Sequence, residues 1–308
     1  MTAMRWTGVF PAVTTQMRRD QSLDLEATAR HIEALIDSGV QGLVMLGSLG
    51  ENTLLEPEEK RSVVRMAKEV AAGRVPVLSG VAEFSTAAAC RYAREMEALG
   101  ADGLMVLPAM VYKAQPEEAL THFRTVARST GLPIIVYNNP IAYYVDLTPR
   151  MFETLADEQN LVAIKESSGD VRRVTDIINQ VGDRYTLFAG VDDLILESVL
   201  LGSEGWIAGA GLAFPRENQR LWELAVAGRW EEARTLYRWF MPLLHLDIPI
   251  KFVQYIKLAI QECGLGAEWV RAPRLPLEGG ERARILEIIH AGMDSRPDLG
   301  SARPNHGR

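Results

Sequence analysis

The chain has 308 residues, which suits one large α/β domain, or a barrel with a small appendage, better than a string of small modules. A net charge of -7 disfavours nucleic acid or an anionic membrane as partner. No apolar run reaches the length of a bilayer span, and Met1 to Val13 lacks the charged-then-apolar pattern of a signal peptide, so a cytoplasmic protein is expected. Cys90 and Cys263 stand far apart in no CxxC spacing and read as reduced thiols. His31, His122, His245, His290 and His306 form no HxH or HExxH pattern, so no metal site is expected.

In chain order, short apolar strands alternate with amphipathic helices. Gly8-Val13 reads as a strand and Leu25-Ser38 as its helix. Gly42-Leu46 is the second strand, running into the glycine-bracketed loop Gly47-Ser48-Leu49-Gly50-Glu51-Asn52, and Pro57 then opens a helix to about Ala71. Pro76-Gly80 pairs with helix Ser85-Leu99, Ser85 being a plausible N-cap. Gly103-Leu107 precedes helix Glu117-Ser129. Pro133-Tyr137 runs into Asn138-Asn139-Pro140 and a short helix at Pro149-Leu155. Leu161-Lys165, Tyr185-Ala189 and Gly205-Ala208 are the last strands, followed by helices at Val171-Val181, Leu194-Leu201 and Pro215-Ala227.

Eight such units predict a closed (β/α)₈ barrel, residues 1–228. An open doubly wound sheet is the alternative, but no GxGxxG loop follows the first strand and no Asn-Gly hairpin signal occurs. No cofactor is expected. After Ala227 the alternation ends, and Arg229-Leu244, Ile250-Cys263 and Gly280-Gly292 predict a helical appendage over residues 229–294. Ser295 to Arg308 reads as a frayed polar tail.

Lys165 ends the apolar run Leu161-Val162-Ala163-Ile164, which has the composition of a strand buried on both faces. A buried lysine loses the solvation of its charged form, its pKa falls, and the neutral amine becomes a nucleophile toward carbonyls. The plainer reading is a lysine that reaches water or pairs with Glu166. Catalytic groups of a barrel gather at the C-terminal ends of its strands. Those ends deliver Ser48 from strand two, Tyr137 from strand five, Lys165 from strand six, and Gly190, Asp192 and Asp193 from strand seven. Each also has a structural reading: Tyr137 in the core, Ser48 capping a turn, Asp192 as the N-cap of the following helix. The run Gly205-Trp206-Ile207-Ala208-Gly209-Ala210-Gly211 holds no basic residue, which favours close backbone approach over phosphate binding.

Gly47-Ser48-Leu49-Gly50-Glu51, Tyr137-Asn138-Asn139-Pro140 and Ile164-Lys165-Glu166-Ser167-Ser168-Gly169-Asp170, in this order and spacing, resemble the dihydrodipicolinate synthase / N-acetylneuraminate lyase family over roughly Trp6 to Gly292. The resemblance implies a class I Schiff-base enzyme on a small 2-oxo acid. Lys165 would condense with the C2 carbonyl. Tyr137 would relay protons with its hydroxyl linked to Ser48. The backbone N–H groups of Ser48 and Leu49 would hold the carboxylate, and Ser167, Gly190, Asp192 and Ile207 would complete the substrate site. It also implies a homotetramer, a dimer of dimers.

Departures from the family pattern narrow the substrate. Ala142 stands where the members that make dihydrodipicolinate carry a carboxylate-binding arginine, Leu49 replaces their second threonine, and Pro108 is followed by Ala109-Met110-Val111-Tyr112 where they carry a pair of interface tyrosines. The long polyol of a sialic acid would find little beyond Ser167 and Asp192, because Leu49 and Ala208-Gly209-Ala210 are apolar. Pro11-Ala12-Val13-Thr14-Thr15-Gln16, Gly50-Glu51-Asn52 and Met241-Pro242-Leu243-Leu244-His245-Leu246-Asp247 resemble most the branch holding Δ1-pyrroline-4-hydroxy-2-carboxylate deaminase and 2-keto-3-deoxy-L-arabonate dehydratase. That resemblance implies elimination of the C4 hydroxyl from an imine on Lys165, with the deaminase preferred.

Overall fold

The computed structural model describes residues 5–299. Eight strands, β1 (Gly8–Val9), β2 (Leu43–Met45), β3 (Val77–Val81), β4 (Gly103–Val106), β5 (Ile134–Asn138), β6 (Leu161–Glu166), β7 (Thr186–Ala189) and β8 (Gly205–Trp206), lie in one parallel sheet in the order β1-β8-β7-β6-β5-β4-β3-β2. The two ends of that list meet. Ala12 bridges Val44, the Val44 N–H donates to the Pro11 carbonyl at 3.0 Å, and the Val13 N–H donates to the Val44 carbonyl at 2.9 Å. The sheet is therefore the expected (β/α)₈ barrel. Its first strand is shorter than the apolar run Gly8-Val13 because Pro11 has no N–H to give the ladder.

The helices are α1 (Leu25–Asp37), α2 (Pro57–Ala71), α3 (Thr86–Ala98), α4 (Pro116–Ala127), α5 (Pro140–Tyr143), α6 (Pro149–Thr154), α7 (Arg172–Val181), α8 (Ile195–Leu200), α9 (Pro215–Val226), α10 (Trp230–Leu244), α11 (Phe252–Glu262) and α12 (Gly279–Asp294). Their starts follow local chemistry. The Ser85 side chain accepts the Ala88 N–H, Asp24 accepts the Ala27 N–H, and α2, α4, α5, α6 and α9 each open on a proline. The one-turn α5 was not anticipated. Asn139 accepts the Ala142 N–H and so caps it, with Pro140 as its first residue.

The strands are buried almost throughout. Inside the barrel Phe10 meets Phe188 edge to face at 5.3 Å between centroids. The three C-terminal helices are tied to the same barrel by polar contacts. Lys257 on α11 pairs with Glu51 at 2.5 Å, both side chains fully buried, and Arg271 reaches Glu59 through two hydrogen bonds of 2.5 and 2.9 Å. The tail expected from Ser295 is anchored at its start. Arg296 donates to both oxygens of Glu217 at 2.6 and 2.9 Å, since a buried carboxylate needs a cationic partner. Residues 300–308 lie outside the described residues.

Candidate active site

Lys165 stands at the C-terminal end of β6, in register with Tyr137 on β5 and Phe188 on β7. It is 7% exposed. Successive strand residues point to opposite faces, so Glu166 turns away from it. The Glu166 carboxylate accepts the Asn138 side-chain amide at 2.9 Å and the Ser168 N–H at 2.6 Å. The pairing of Lys165 with Glu166 considered from sequence is therefore absent. Instead the ammonium nitrogen lies over the Tyr137 ring, 4.2 Å from its centroid. Burial pushes the Lys165 pKa down, opposed by the negative charges of Asp247 and Asp192 and by Tyr143. This is the direction a nucleophilic amine requires.

A cavity of about 400 Å³ opens over this lysine. Of the residues singled out from sequence, Ser48, Leu49, Tyr137, Lys165, Ser167, Gly190, Asp193 and Ile207 line it. Gly190 is where space is tightest. A Cβ there would sit 2.0 Å from the Ser167 hydroxyl oxygen and 2.7 Å from Lys165 Cε. Only a residue without a side chain leaves the lysine its present path.

Two expectations are corrected. Asp192 does not line the cavity. It is fully buried, and its carboxylate accepts the Trp206 indole N–H at 2.8 Å and the Gly209 and Ala210 N–H groups at 3.0 and 2.6 Å. It neither caps a helix nor faces a substrate; it braces the loop after β8. Second, the Ser48 hydroxyl is bonded to Tyr143, not to Tyr137. Tyr137 instead accepts the Asn139 side-chain amide at 3.1 Å, and Tyr143 packs edge-on against it with centroids 5.6 Å apart. Burial pushes the Tyr137 hydroxyl up to about 12, and Tyr143 rises for the same reason. Tyr112, in the region of the family's interface tyrosines, donates to Glu118 at 2.6 Å from an exposed position.

Sequence reasoning missed Tyr143 and Asp247. The signal for Tyr143 was Asn139-Pro140, a cap and first-turn pair that starts α5 and folds Tyr143 back over the end of β5. Asp247 ends a short 3₁₀ turn, His245–Asp247, directly after α10, and lines the cavity with Ile248 and Phe252. Its signal was a lone carboxylate in the apolar stretch Leu243-Leu244-His245-Leu246-Asp247-Ile248.

The Gly47–Asn52 loop is fixed from outside. Asn52 donates its side-chain amide to the Leu46 and Gly80 carbonyls at 2.9 and 3.1 Å, and Thr15 donates to the Gly50 carbonyl at 2.8 Å. Glu51 holds a positive φ of 54°, uncommon for a residue with a side chain, and the Lys257 pair keeps it there.

The sequence profile described as the dihydrodipicolinate synthetase family matches residues 5–292. The chain belongs to the dihydrodipicolinate synthetase family. A 4-hydroxy-tetrahydrodipicolinate synthase of Archaeoglobus fulgidus is 33% identical over 92% of this chain and 96% of its own length. Enzyme 1 of that name from Halalkalibacterium halodurans is 31% identical over 91% and 95%. Among solved structures, YagE, a prophage protein from E. coli K12 belonging to the dihydrodipicolinic acid synthase family and solved in complex with pyruvate, is 31% identical with a TM-score of 0.87, covering 94% of this chain and 99% of that one. The 4-hydroxy-tetrahydrodipicolinate synthase of Methylacidiphilum fumariolicum superposes with a TM-score of 0.90 at 28% identity, over 94% and 97% of the two chains. The chain is thus a lyase of the dihydrodipicolinate synthetase family on a (β/α)₈ barrel. No helix among the described residues is long and apolar enough to cross a membrane, and no group of three or more His, Cys, Asp or Glu there could hold a metal ion.

Proposed function

We propose that this chain is a lysine Schiff-base lyase that eliminates the C4 hydroxyl from a small 2-oxo acid or its cyclic imine. The substrate we favour is Δ1-pyrroline-4-hydroxy-2-carboxylate. With one water it gives 2-oxoglutarate semialdehyde and ammonia. The neutral Lys165 amine adds at C2, the resulting iminium acidifies C3, and loss of that proton lets the C4 hydroxyl depart. Hydrolysis frees the product and the lysine. Ser48, Leu49, Ser167, Gly190 and Ile207 surround the substrate, with Tyr137 and Tyr143 supplying hydroxyls beside Lys165.

The observation that carries this reading is the lining of the cavity. Among the described residues Lys165 is the only cation that lines it, while Leu49, Ile141, Ala142, Ile207, Ile248 and Phe252 make much of its wall apolar. Condensation of pyruvate with a second carboxylate-bearing substrate calls for another cation, and Ala142 stands where the family resemblance puts an arginine. Cleavage of a long polyol calls for a polar trough. Elimination calls only for the imine, a proton acceptor and space for a small leaving group. A cytoplasmic homotetramer belongs to the same reading, with the exposed Val111, Tyr112, Ile141 and Tyr144 at the barrel mouth offering apolar contact area.

The test is purified protein with the pyrroline, coupled to a semialdehyde dehydrogenase and read as NADPH. Turnover with ammonia release is the expected result, together with a borohydride-stable pyruvate adduct on the peptide that holds Lys165. Turnover of 2-keto-3-deoxy-L-arabonate alone would move the assignment to the dehydratase. Pyruvate release from N-acetylneuraminate, or consumption of pyruvate with aspartate semialdehyde, would overturn elimination.

A further inference from the structure

Elimination across C3 and C4 moves one proton off carbon and one onto a departing oxygen. Tyr137 and Tyr143 are poor acceptors for the first step, because burial holds both phenols protonated at neutral pH, Tyr137 with a pKa of about 12. A carboxylate is the better acceptor, and three lie around Lys165. Asp192 is spent on its three donors from β8 and the loop behind it. Asp193 lines the cavity, but one of its carboxylate oxygens lies 2.9 Å from His245 Nδ1, and its carbonyl accepts the Tyr237 hydroxyl. Asp247 lines the cavity too, and differs in that its Oδ1 is buried with no hydrogen-bond partner among the described residues.

The fold makes room for this carboxyl. A Cβ on Gly209 would stand 2.4 Å from Asp247 Oδ1 and 2.6 Å from its Cγ, so the glycine after β8 leaves the space that the Asp247 head fills. A partnerless polar atom in a buried place has a desolvation cost that structures normally avoid. Here it faces the one cavity that holds the reactive lysine.

We infer that Asp247 is the group that takes the C3 proton of the Lys165-bound substrate and delivers a proton to the departing C4 hydroxyl. The role rests on the elimination reading given above. In the resting site Asp247 is held toward its neutral acid by burial, as Lys165 is toward its neutral amine. Iminium formation puts a fixed positive charge beside the carboxyl and favours its ionised form, the Asp247 proton leaving on the displaced group, as water from a 2-oxo acid or on the freed ring nitrogen of a cyclic imine. The carboxylate then accepts the C3 proton; the C3–H electrons form C2=C3 and the nitrogen becomes a neutral enamine. Next the nitrogen lone pair re-forms the iminium, C3=C4 forms, C4–O breaks, and the Asp247 proton leaves with the oxygen as water. Protons and electrons balance over the two steps, and Asp247 ends as it began, ionised beside a cation.

The experiment compares wild type with Asp247→Asn, using pyruvate as probe. Two readouts are taken on the full chain: the borohydride-trapped adduct on Lys165, and exchange of the pyruvate methyl hydrogens in D₂O. The expected result is a full adduct in Asp247→Asn, with exchange and elimination reduced about 10²–10⁴-fold, the usual worth of general acid–base help. Exchange at the wild-type rate in the variant overturns the inference. Loss of adduct and exchange together also overturns it, since the carboxyl would then hold the lysine in place and not move the proton. Wild-type protein that eliminates from neither 4-hydroxy substrate, while Asp247→Asn still loses pyruvate exchange, would overturn the substrate reading and support Asp247.

Discussion

Lys165 has the environment of a nucleophile, and its consequences are measurable as a function of pH. The neutral amine is the attacking form, and burial lowers the pKa of Lys165 below its ordinary value of 10.5. The groups that oppose this shift are Asp247, Tyr143 and Asp192. The rate of borohydride-trapped pyruvate adduct formation should therefore rise with pH and level off below the ordinary lysine range. A rate still climbing through pH 10.5 would mean that the site does not depress the lysine. The partnership of Lys165 and Tyr137 was legible in sequence because each ends an apolar strand run. The hydroxyl chemistry around them was not. Whether Ser48 meets Tyr137 or Tyr143 depends on a one-turn helix whose four residues carry no periodic signal.

At the scale of elements, α11 does more than cover the barrel. Its Lys257 donates to Glu51 at 2.5 Å and to the Trp269 carbonyl at 2.8 Å, while the Arg271 N–H reaches the other Glu51 oxygen at 3.1 Å. The C-terminal helices thus hold the glycine loop that carries Ser48. Lys257→Met leaves a buried carboxylate with Arg274, at 3.6 Å, as its only charged partner among the described residues. Removing one member of a buried pair typically costs about 3–5 kcal/mol. The urea midpoint of Lys257→Met should fall accordingly at unchanged slope; a midpoint equal to wild type would deny the pair this role. Most helix starts were readable, because Ser85, Pro57 and the prolines of α6 and α9 are local signals. The length of β1 and the presence of α5 were not, since both turn on a single proline's place in the sheet or after it. Within the last turn of α10, Pro242 lacks the N–H that would bond the carbonyl four residues back. The helix ends two residues later and passes into the turn that carries Asp247.

For the whole molecule, acid is the condition that probes how α1 is locked to the end of the barrel. His31 on α1 is fully buried, its Nε2 2.8 Å from the Leu212 carbonyl, and burial lowers its pKa from 6.5 to about 4. Between those values the unfolded chain binds the proton and the folded one does not, so stability falls as pH drops from about 6.5 toward 4. A shift of that size corresponds to roughly 3 kcal/mol at 1.36 kcal/mol per unit. Urea midpoints at pH 7 and 4.5 should therefore fall further in wild type than in His31→Gln; equal losses would remove His31 from the acid response. The sequence by itself determined the barrel, the strand ends that bear Lys165, Tyr137 and Ser48, and the family, because strand burial, helix caps and contiguous motifs are all written locally along the chain. Only the tertiary structure decided that Asp192 faces β8, that Tyr143 meets Ser48, and that Asp247 and Lys257 arrive at the mouth from beyond the barrel. Asp247 and Gly209 are brought together by packing of the turn after α10 against the loop after β8, and Lys257 and Glu51 are 206 positions apart. No local periodicity encodes a contact of that range; it exists only once the closed barrel fixes where its own loops stand.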